Sequence, residues 1–395
     1  MNEVKVYDYI IAGAGASGLS LLWELMQSEI AKEASILLLD SSFKPDDSKT
    51  WCFWSKEEFH LKPLIHHTWH HIEVTAQQQS FTEQLSDYAY HALKSIDFTR
   101  FILEQAENDS RITFCECSVD GFSERGAHAV AHTSKEDFHG KIIFQSVKKP
   151  PAPASGRAEI SLIQHFIGWE VEAGQALFDP ETALLMDFDV PQKNGVTFMY
   201  LLPYSPTTAL IEYTVFSEQA LPPEQYEDEI ENYIGRLLLK SGNPDSGYRI
   251  LRKERGEIPM SPGRLSPWYC KQVYTLGIAG GHAKPSTGYT FSRVQKRARQ
   301  LVAALEKGEK LPYNWPSSYR FRVYDLMLLY QLKHHPDISL AIFKELFEHN
   351  TMDRVFEFLD EQTNFLQELT LFSTLPYAPF FQSIWRMRRA ILTGV

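Results

Sequence analysis

Residues 7–12, Tyr-Asp-Tyr-Ile-Ile-Ala, form a short and nearly continuous apolar run, which predicts a buried strand. Six residues later the pattern changes. From Leu19 to Ile30 the apolar positions recur at helical spacing, and Ser35 to Leu39 is again a strand, closed by Asp40. The same reading predicts a strand over 72–81, a helix over 98–108, and strands over 112–116, 127–133 and 138–145. The proline-rich run from Lys148 to Ala154 predicts a connector and a domain transition. Residues 155–270 read mostly as strands. Two of them, 195–202 and 207–216, flank Pro203-Tyr204-Ser205-Pro206 as a hairpin. A helix follows over 223–240. A strand over 273–278 runs into a glycine-rich turn at Gly277, Gly280 and Gly281, and a helix covers 291–307. From Pro316 onward the spacing is helical almost to the end.

Between the first strand and the first helix stands Gly13-Ala14-Gly15-Ala16-Ser17-Gly18. In this context a G-x-G-x-x-G turn binds a dinucleotide pyrophosphate. Gly13 permits the tight turn, Gly15 lets the backbone approach the phosphates, and Gly18 lets helix and strand pack closely. The helix N-terminus offers free N–H groups and a positive dipole end. Asp40 lies roughly twenty positions after Gly18, where a carboxylate accepts from the ribose hydroxyls. The turn alone does not choose between FAD and NAD. Its N-terminal position, paired with a second glycine-rich strand near residue 280, suits FAD. The predicted class is therefore α/β: a Rossmann-like FAD/NAD(P)-binding domain over 1–150 with small insertions, resumed over 271–308. A β-rich substrate domain is inserted over 151–270, and a helical region closes the chain over 309–395.

The strand over 207–216 carries a candidate for acid–base chemistry. Alternation puts Thr208, Leu210, Glu212, Thr214 and Phe216 on one face and Ala209, Ile211, Tyr213 and Val215 on the other. Both faces are mostly apolar, so Glu212 is a lone carboxylate among apolar neighbours. Burial would raise its pKa and let it act as a general acid. Exposure on an edge strand, or pairing with a base, is the competing reading. Trp51, Phe53 and Trp54 crowd around Cys52 as either a packed aromatic plug or the wall of a ligand pocket.

The chain has 395 residues and a net charge of -11, which argues against a nucleic-acid partner. Four scattered cysteines do not make a disulfide framework. No export signal opens the chain and no segment reads as a membrane span, so a cytoplasmic protein is expected. His66, His67, His70 and His71 lack helical context and an adjacent carboxylate, and no metal site is expected. Near the end, Phe380, Phe381, Ile384 and Trp385 adjoin Arg386, Arg388 and Arg389. That composition suits either an interfacial membrane anchor or a terminal helix docked on the domain.

Several segments taken together resemble the FAD-dependent lycopene cyclases of the bacterial and plant β-cyclase type. They are the Gly13–Gly18 turn with Asp40, Thr50-Trp51-Cys52-Phe53-Trp54, Gln164 to Trp169, Met186-Asp187-Phe188 and Leu202-Pro203-Tyr204-Ser205. Ile211-Glu212-Tyr213-Thr214, Gly256-Glu257-Ile258-Pro259-Met260 and Gly280 to Tyr289 complete them. The resemblance covers nearly the whole chain. It implies a redox-neutral isomerase of the intramolecular lyase class that closes the ψ end groups of lycopene into β-ionone rings, through γ-carotene to β-carotene. It implies reduced FAD as cofactor and NADPH or NADH as reductant. Glu212 becomes the acid–base residue and Glu257 the second carboxylate. Gly280, Gly281, Ser286, Thr287, Gly288 and Tyr289 join Gly13, Gly15, Ala16, Ser17, Gly18 and Asp40 at the cofactor. Trp51, Phe53, Trp54, Tyr204 and Tyr213 line the substrate pocket. Where plant cyclases carry a second glutamate, this chain has Tyr213. A lipid-soluble substrate further implies a cytoplasmic enzyme held peripherally at a bilayer. A flavin monooxygenase or prenyl-lipid reductase on the same scaffold, and a non-enzymatic carotenoid-binding flavoprotein, are the rival readings.

Overall fold

A computed structural model describes residues 4–148, 160–261, 266–313 and 317–393. The expected connector falls outside these residues except for Lys148. The chain opens with β1 (Val6–Ala12), α1 (Ala16–Gln27) and β2 (Ile36–Asp40). Then come β3 (Thr50–Ser55), β4 (His67–Trp69), β5 (His71–Ala76), β6 (Gln79–Gln84), β7 (Ala89–Lys94) and α2 (Ser95–Glu107). β8 (Ile112–Glu116), β9 (Val119–Arg125), β10 (His128–Thr133) and β11 (Asp137–Gln145) follow. The middle holds β12 (Leu162–Ala173), β13 (Thr182–Asp187), β14 (Val196–Pro203), β15 (Thr208–Ser217), α3 (Pro223–Lys240) and β16 (Tyr248–Met260). β17 (Trp268–Cys270), β18 (Val273–Thr275) and α4 (Phe291–Glu306) return to the first unit. Six helices close the chain: α5 (Tyr319–His334), α6 (Pro336–His349), α7 (Met352–Leu359), α8 (Phe365–Phe372), α9 (Tyr377–Arg386) and α10 (Arg388–Thr393).

The first sheet runs β17-β18-β11-β1-β2-β8, parallel except at β17, with β10 and β9 appended beyond β11. Its central strands are buried on both faces, as their unbroken apolar runs require. One face packs on α1, α2 and α4 through Leu19, Leu22, Phe98 and Leu301. The fold is thus the expected Rossmann-like α/β unit, whose two glycine-rich turns follow β1 and β18.

The second sheet runs β16-β12-β15-β14-β13-β5-β6. Its pairings are antiparallel except for β13 with β5. α3 covers one face with Tyr226, Ile230, Tyr233 and Ile234. The other face meets α5, α6, α7 and the small sheet β3-β7-β4. The strand expected over 72–81 is two strands. Gln77 and Gln78 adopt φ of 53 and 62°, the left-handed pair that turns a tight hairpin. Nothing in an all-glutamine turn announces that conformation. The strand expected over 273–278 is shorter, because the glycine-rich turn begins directly after Thr275.

Candidate active site

The β1–α1 turn has a geometry that could hold a phosphate. Gly13 has φ of +108°, and a Cβ on Gly18 would sit 1.9 Å from the Gly13 carbonyl oxygen. No side chain caps α1, so its first N–H groups stay free for a ligand. A Cβ on Gly15 would meet nothing within 4 Å, which leaves open space above the turn. Asp40, at the end of β2, accepts the Ala14 N–H on Oδ2 at 2.5 Å and the Ser42 N–H on Oδ1 at 3.1 Å. The second turn touches the first: a Cβ on Gly277 would come within 2.7 Å of the Ser17 hydroxyl. Gly280 and Gly281 follow in a short 3-10 turn, and His282 Nδ1 accepts the Gly277 N–H at 3.1 Å.

From this junction a cavity of about 1050 Å³ runs through the molecule. That is at the upper end for small-molecule sites. At one end it is lined by Gly15, Ala16, Ser17 and Asp40, in the middle by Trp51, Trp54, Glu212, Thr287, Gly288 and Tyr289. At the far end Phe372, Leu375, Tyr377, Phe381 and Ile384 of α8, α9 and their connector enclose it. Within it, the Gln164 Oε1 and Thr287 Oγ1 atoms are buried without a hydrogen-bond partner. Unpartnered polar atoms in the cavity beside Gly288 fit a bound polar ligand.

Glu212 projects into the middle of this cavity with 7% of its surface exposed. The Thr214 hydroxyl donates a hydrogen bond to its Oε1 at 2.7 Å. Burial, reinforced by the nearby Glu254 carboxylate, pushes its pKa up to about 8, with the Thr214 bond pulling the other way. Trp54 stacks on Phe356 and meets Tyr289 edge-on at 4.4 Å. The Tyr90 hydroxyl bonds to that of Tyr200 and lies 3.4 Å from that of Tyr289.

The other expected site residues divide between the cavity and the core. Trp51 lines the cavity and stacks on Phe291 at 5.3 Å. Phe53 turns into the core of the nucleotide-binding unit against Phe59 and Phe291. Tyr213 points away from Glu212, toward Tyr226 of α3, because successive residues of β15 face opposite sides. Tyr204 packs on His66 and Trp69 beside the cavity and does not line it. Ser286 donates to Asp325 of α5 at 2.6 Å, within a buried cluster where Lys284 bonds Asp325 and Glu361. Ser286, Lys284 and Asp325 all border the cavity too, so this cluster braces the 284–289 segment at the cavity wall.

The second carboxylate differs from expectation. Glu257 stands at the cavity rim, its side chain 47% exposed and paired with Arg255 at 2.8 Å. Glu254, three residues earlier on β16, is the buried one at 6% exposure. It accepts from Thr50 Oγ1 at 2.9 Å and Arg252 Nη1 at 2.7 Å. Sequence reading missed Glu254 because β16 reads Arg-Lys-Glu-Arg-Gly-Glu, a pattern that signals solvent on both faces. Only the contacts of Arg252 and Glu254 with Asp47 and Thr50, distant in sequence, show that the face bearing them is covered.

Residues 8–385 match the family model described as lycopene cyclase protein. A lycopene beta-cyclase of Pantoea ananas is 26% identical over 75% of this chain and 74% of its own length. One from a Paracoccus species is 26% identical, over 76% and 74% respectively. Among solved structures, a geranylgeranyl bacteriochlorophyll reductase-like protein of Thermoplasma acidophilum superposes with a TM-score of 0.58 at 11% identity, covering 98% of this chain and 100% of that one. A flavoprotein/dehydrogenase of Cytophaga hutchinsonii gives 0.59 at 10% identity, covering 93% and 100%. These two likenesses concern the fold.

Proposed function

The chain belongs to the lycopene cyclase family, and from that premise we propose that it is a lycopene β-cyclase working with FAD. The observation that carries this reading is a buried carboxyl, Glu212, whose pKa burial raises, in a mostly apolar cavity that extends to the β1–α1 glycine turn. Glu212 donates its proton to the terminal double bond of a ψ end group. The resulting tertiary cation is attacked by the neighbouring double bond, and the ring forms. A ring proton then leaves, and the carboxylate of Glu212 is positioned to take it, so the enzyme returns to its starting state. An alkene is a very weak base, so the donor must be desolvated and the site dry. The aromatic faces of Trp54 and Tyr289 supply that dryness and stabilise positive charge. Reduced FAD, which NADPH or NADH would furnish, would add negative charge beside the cation without net electron transfer.

Gly13, Gly15, Ala16, Ser17 and Gly18 bind the pyrophosphate in this reading, with Asp40 at the ribose. Gly280, Gly281, Thr287, Gly288 and Tyr289 bound the isoalloxazine end. Trp51 and Trp54 are the pocket walls. A carotenoid reaches the cavity from a bilayer through α8 and α9, where Leu366, Tyr377, Phe381 and Trp385 are exposed beside Arg386 and Arg388. No helix among the described residues is long and apolar enough to cross a membrane, so the proposed contact is peripheral.

Pigment analysis after expression in lycopene-accumulating bacteria tests the reading. β-Carotene or γ-carotene is the expected product. Stoichiometric consumption of the nicotinamide would instead identify a monooxygenase or reductase.

A further inference from the structure

Four residues on adjacent strands form one row across the second sheet. Tyr200 on β14 is in register with Glu212 on β15, Glu212 with Gly168 on β12, and Gly168 with Glu254 on β16. Facing residues in register share a sheet face, so both side chains leave the sheet on the cavity side, from backbone positions about two strand spacings, roughly 10 Å, apart. Between them stands a residue without a side chain. A Cβ at 168 would come within 3.1 Å of Glu254 Cγ and 3.4 Å of Glu212 Cβ. The two acidic side chains therefore lean over the bare backbone of Gly168 from either side.

Their surroundings are unequal. Glu254 is anchored by Arg252 and by the Thr50 hydroxyl. Arg252 is shared with Glu170 at 3.1 Å and Asp47 at 3.6 Å, and Lys94 bonds Glu170 at 3.0 Å. Two cations thus face three carboxylates. The groups around Glu212 are neutral: Thr214, the Cys52 thiol and the phenols of Tyr200 and Tyr289. Burial raises the pKa of Glu254 as well, but Arg252 and Thr50 pull it back down, whereas only the Thr214 bond opposes the rise at Glu212.

Resting on the cyclase reading above, we propose that Glu254 is a positioning residue for the catalytic proton. Its anchored charge, acting across Gly168, keeps the Glu212 carboxyl protonated between turnovers. Arg252 and Thr50 hold that charge in place without reaching Glu212.

Two measurements on the flavin-loaded enzyme test this. One is an infrared titration of the protonated carboxyl band that disappears in Glu212→Gln. The other is the pH–rate profile with lycopene in phospholipid vesicles. Glu254→Gln is expected to move the band's midpoint, and the alkaline limb of the profile, down by about one pH unit. Glu254→Asp, which keeps the charge, is expected to restore most of the wild-type midpoint. Lys94→Met, which removes a cation from the same cluster, is expected to move it upward. An unmoved midpoint in Glu254→Gln overturns the proposal, as does an equal shift in Glu254→Asp. Should Glu254→Gln fail to fold, an unmoved midpoint in Lys94→Met overturns it. Absence of cyclised product from the wild type at every pH overturns the cyclase reading itself, whatever the infrared midpoint does.

Discussion

The indole of Trp54 lies flat on the ring of Phe356, with centroids 4.5 Å apart and planes 2° from parallel. This contact joins β3, which follows the nucleotide-binding β-α-β unit, to α7 in the helical region, and it closes one side of the cavity. Trp54→Ala is expected to cost about 3–5 kcal/mol, the usual loss for a large buried aromatic. Chemical denaturation measures it. Retention of full stability would mean that α7 docks without this stack.

Glu212→Gln keeps the shape and the Thr214 contact but cannot give up a proton. Cyclisation is expected to fall at least about 100-fold, the scale of general acid catalysis. Flavin absorbance of the purified protein should be unchanged. A variant that still forms rings would move the acid elsewhere.

The same group sets a pH dependence of stability. Its pKa in the folded chain is about 8 against an ordinary 4.5. Between those values the folded state keeps a proton that the unfolded chain releases, so stability falls as pH rises through that window and levels off above it. Glu212→Gln removes this loss. At pH 8 the variant should be more stable than the wild type, on the order of 4 kcal/mol, and equal to it near pH 4. Thermal melts at the two pH values decide the matter.

The two glycines at either end of the first turn should fail in different ways. Gly15→Val adds bulk to open space, so the fold survives and flavin is lost. Gly18→Ala drives a methyl into the Gly13 carbonyl, so the β1–α1 turn itself is distorted. Flavin content and melting temperature, read together, separate the two outcomes.

Phe381 and Trp385 are 70% and 68% exposed on α9. Replacing both with aspartate should reduce sedimentation with anionic phospholipid vesicles and slow turnover of lycopene supplied in them. Turnover of detergent-dispersed lycopene should change less. Unaltered vesicle binding would argue against α9 as the contact.

Much of the nucleotide-binding unit could be read from the chain, because its signals are local. β1, the glycine turn, α1 and Asp40 lie within 35 consecutive positions and follow one another in space as in sequence. The burial of Glu212 was legible for a related reason: ten residues of alternating apolar character reveal both faces of β15. Glu254 was not, because its burial depends on the β3 residue Thr50, some 200 positions away. Tyr213 illustrates the converse. The resemblance places it in the substrate pocket, whereas the two-residue period of the strand, legible in the sequence, sends it to the side opposite Glu212.

The β5–β6 hairpin precedes most of the sheet it completes, and β5 pairs with β13 more than a hundred positions later. An excised fragment of residues 151–270 would therefore leave the edge of β13 bare, with its backbone N–H and C=O groups free to recruit a strand from another molecule. Such a fragment is expected to self-associate, and to become soluble only when the hairpin is supplied with it.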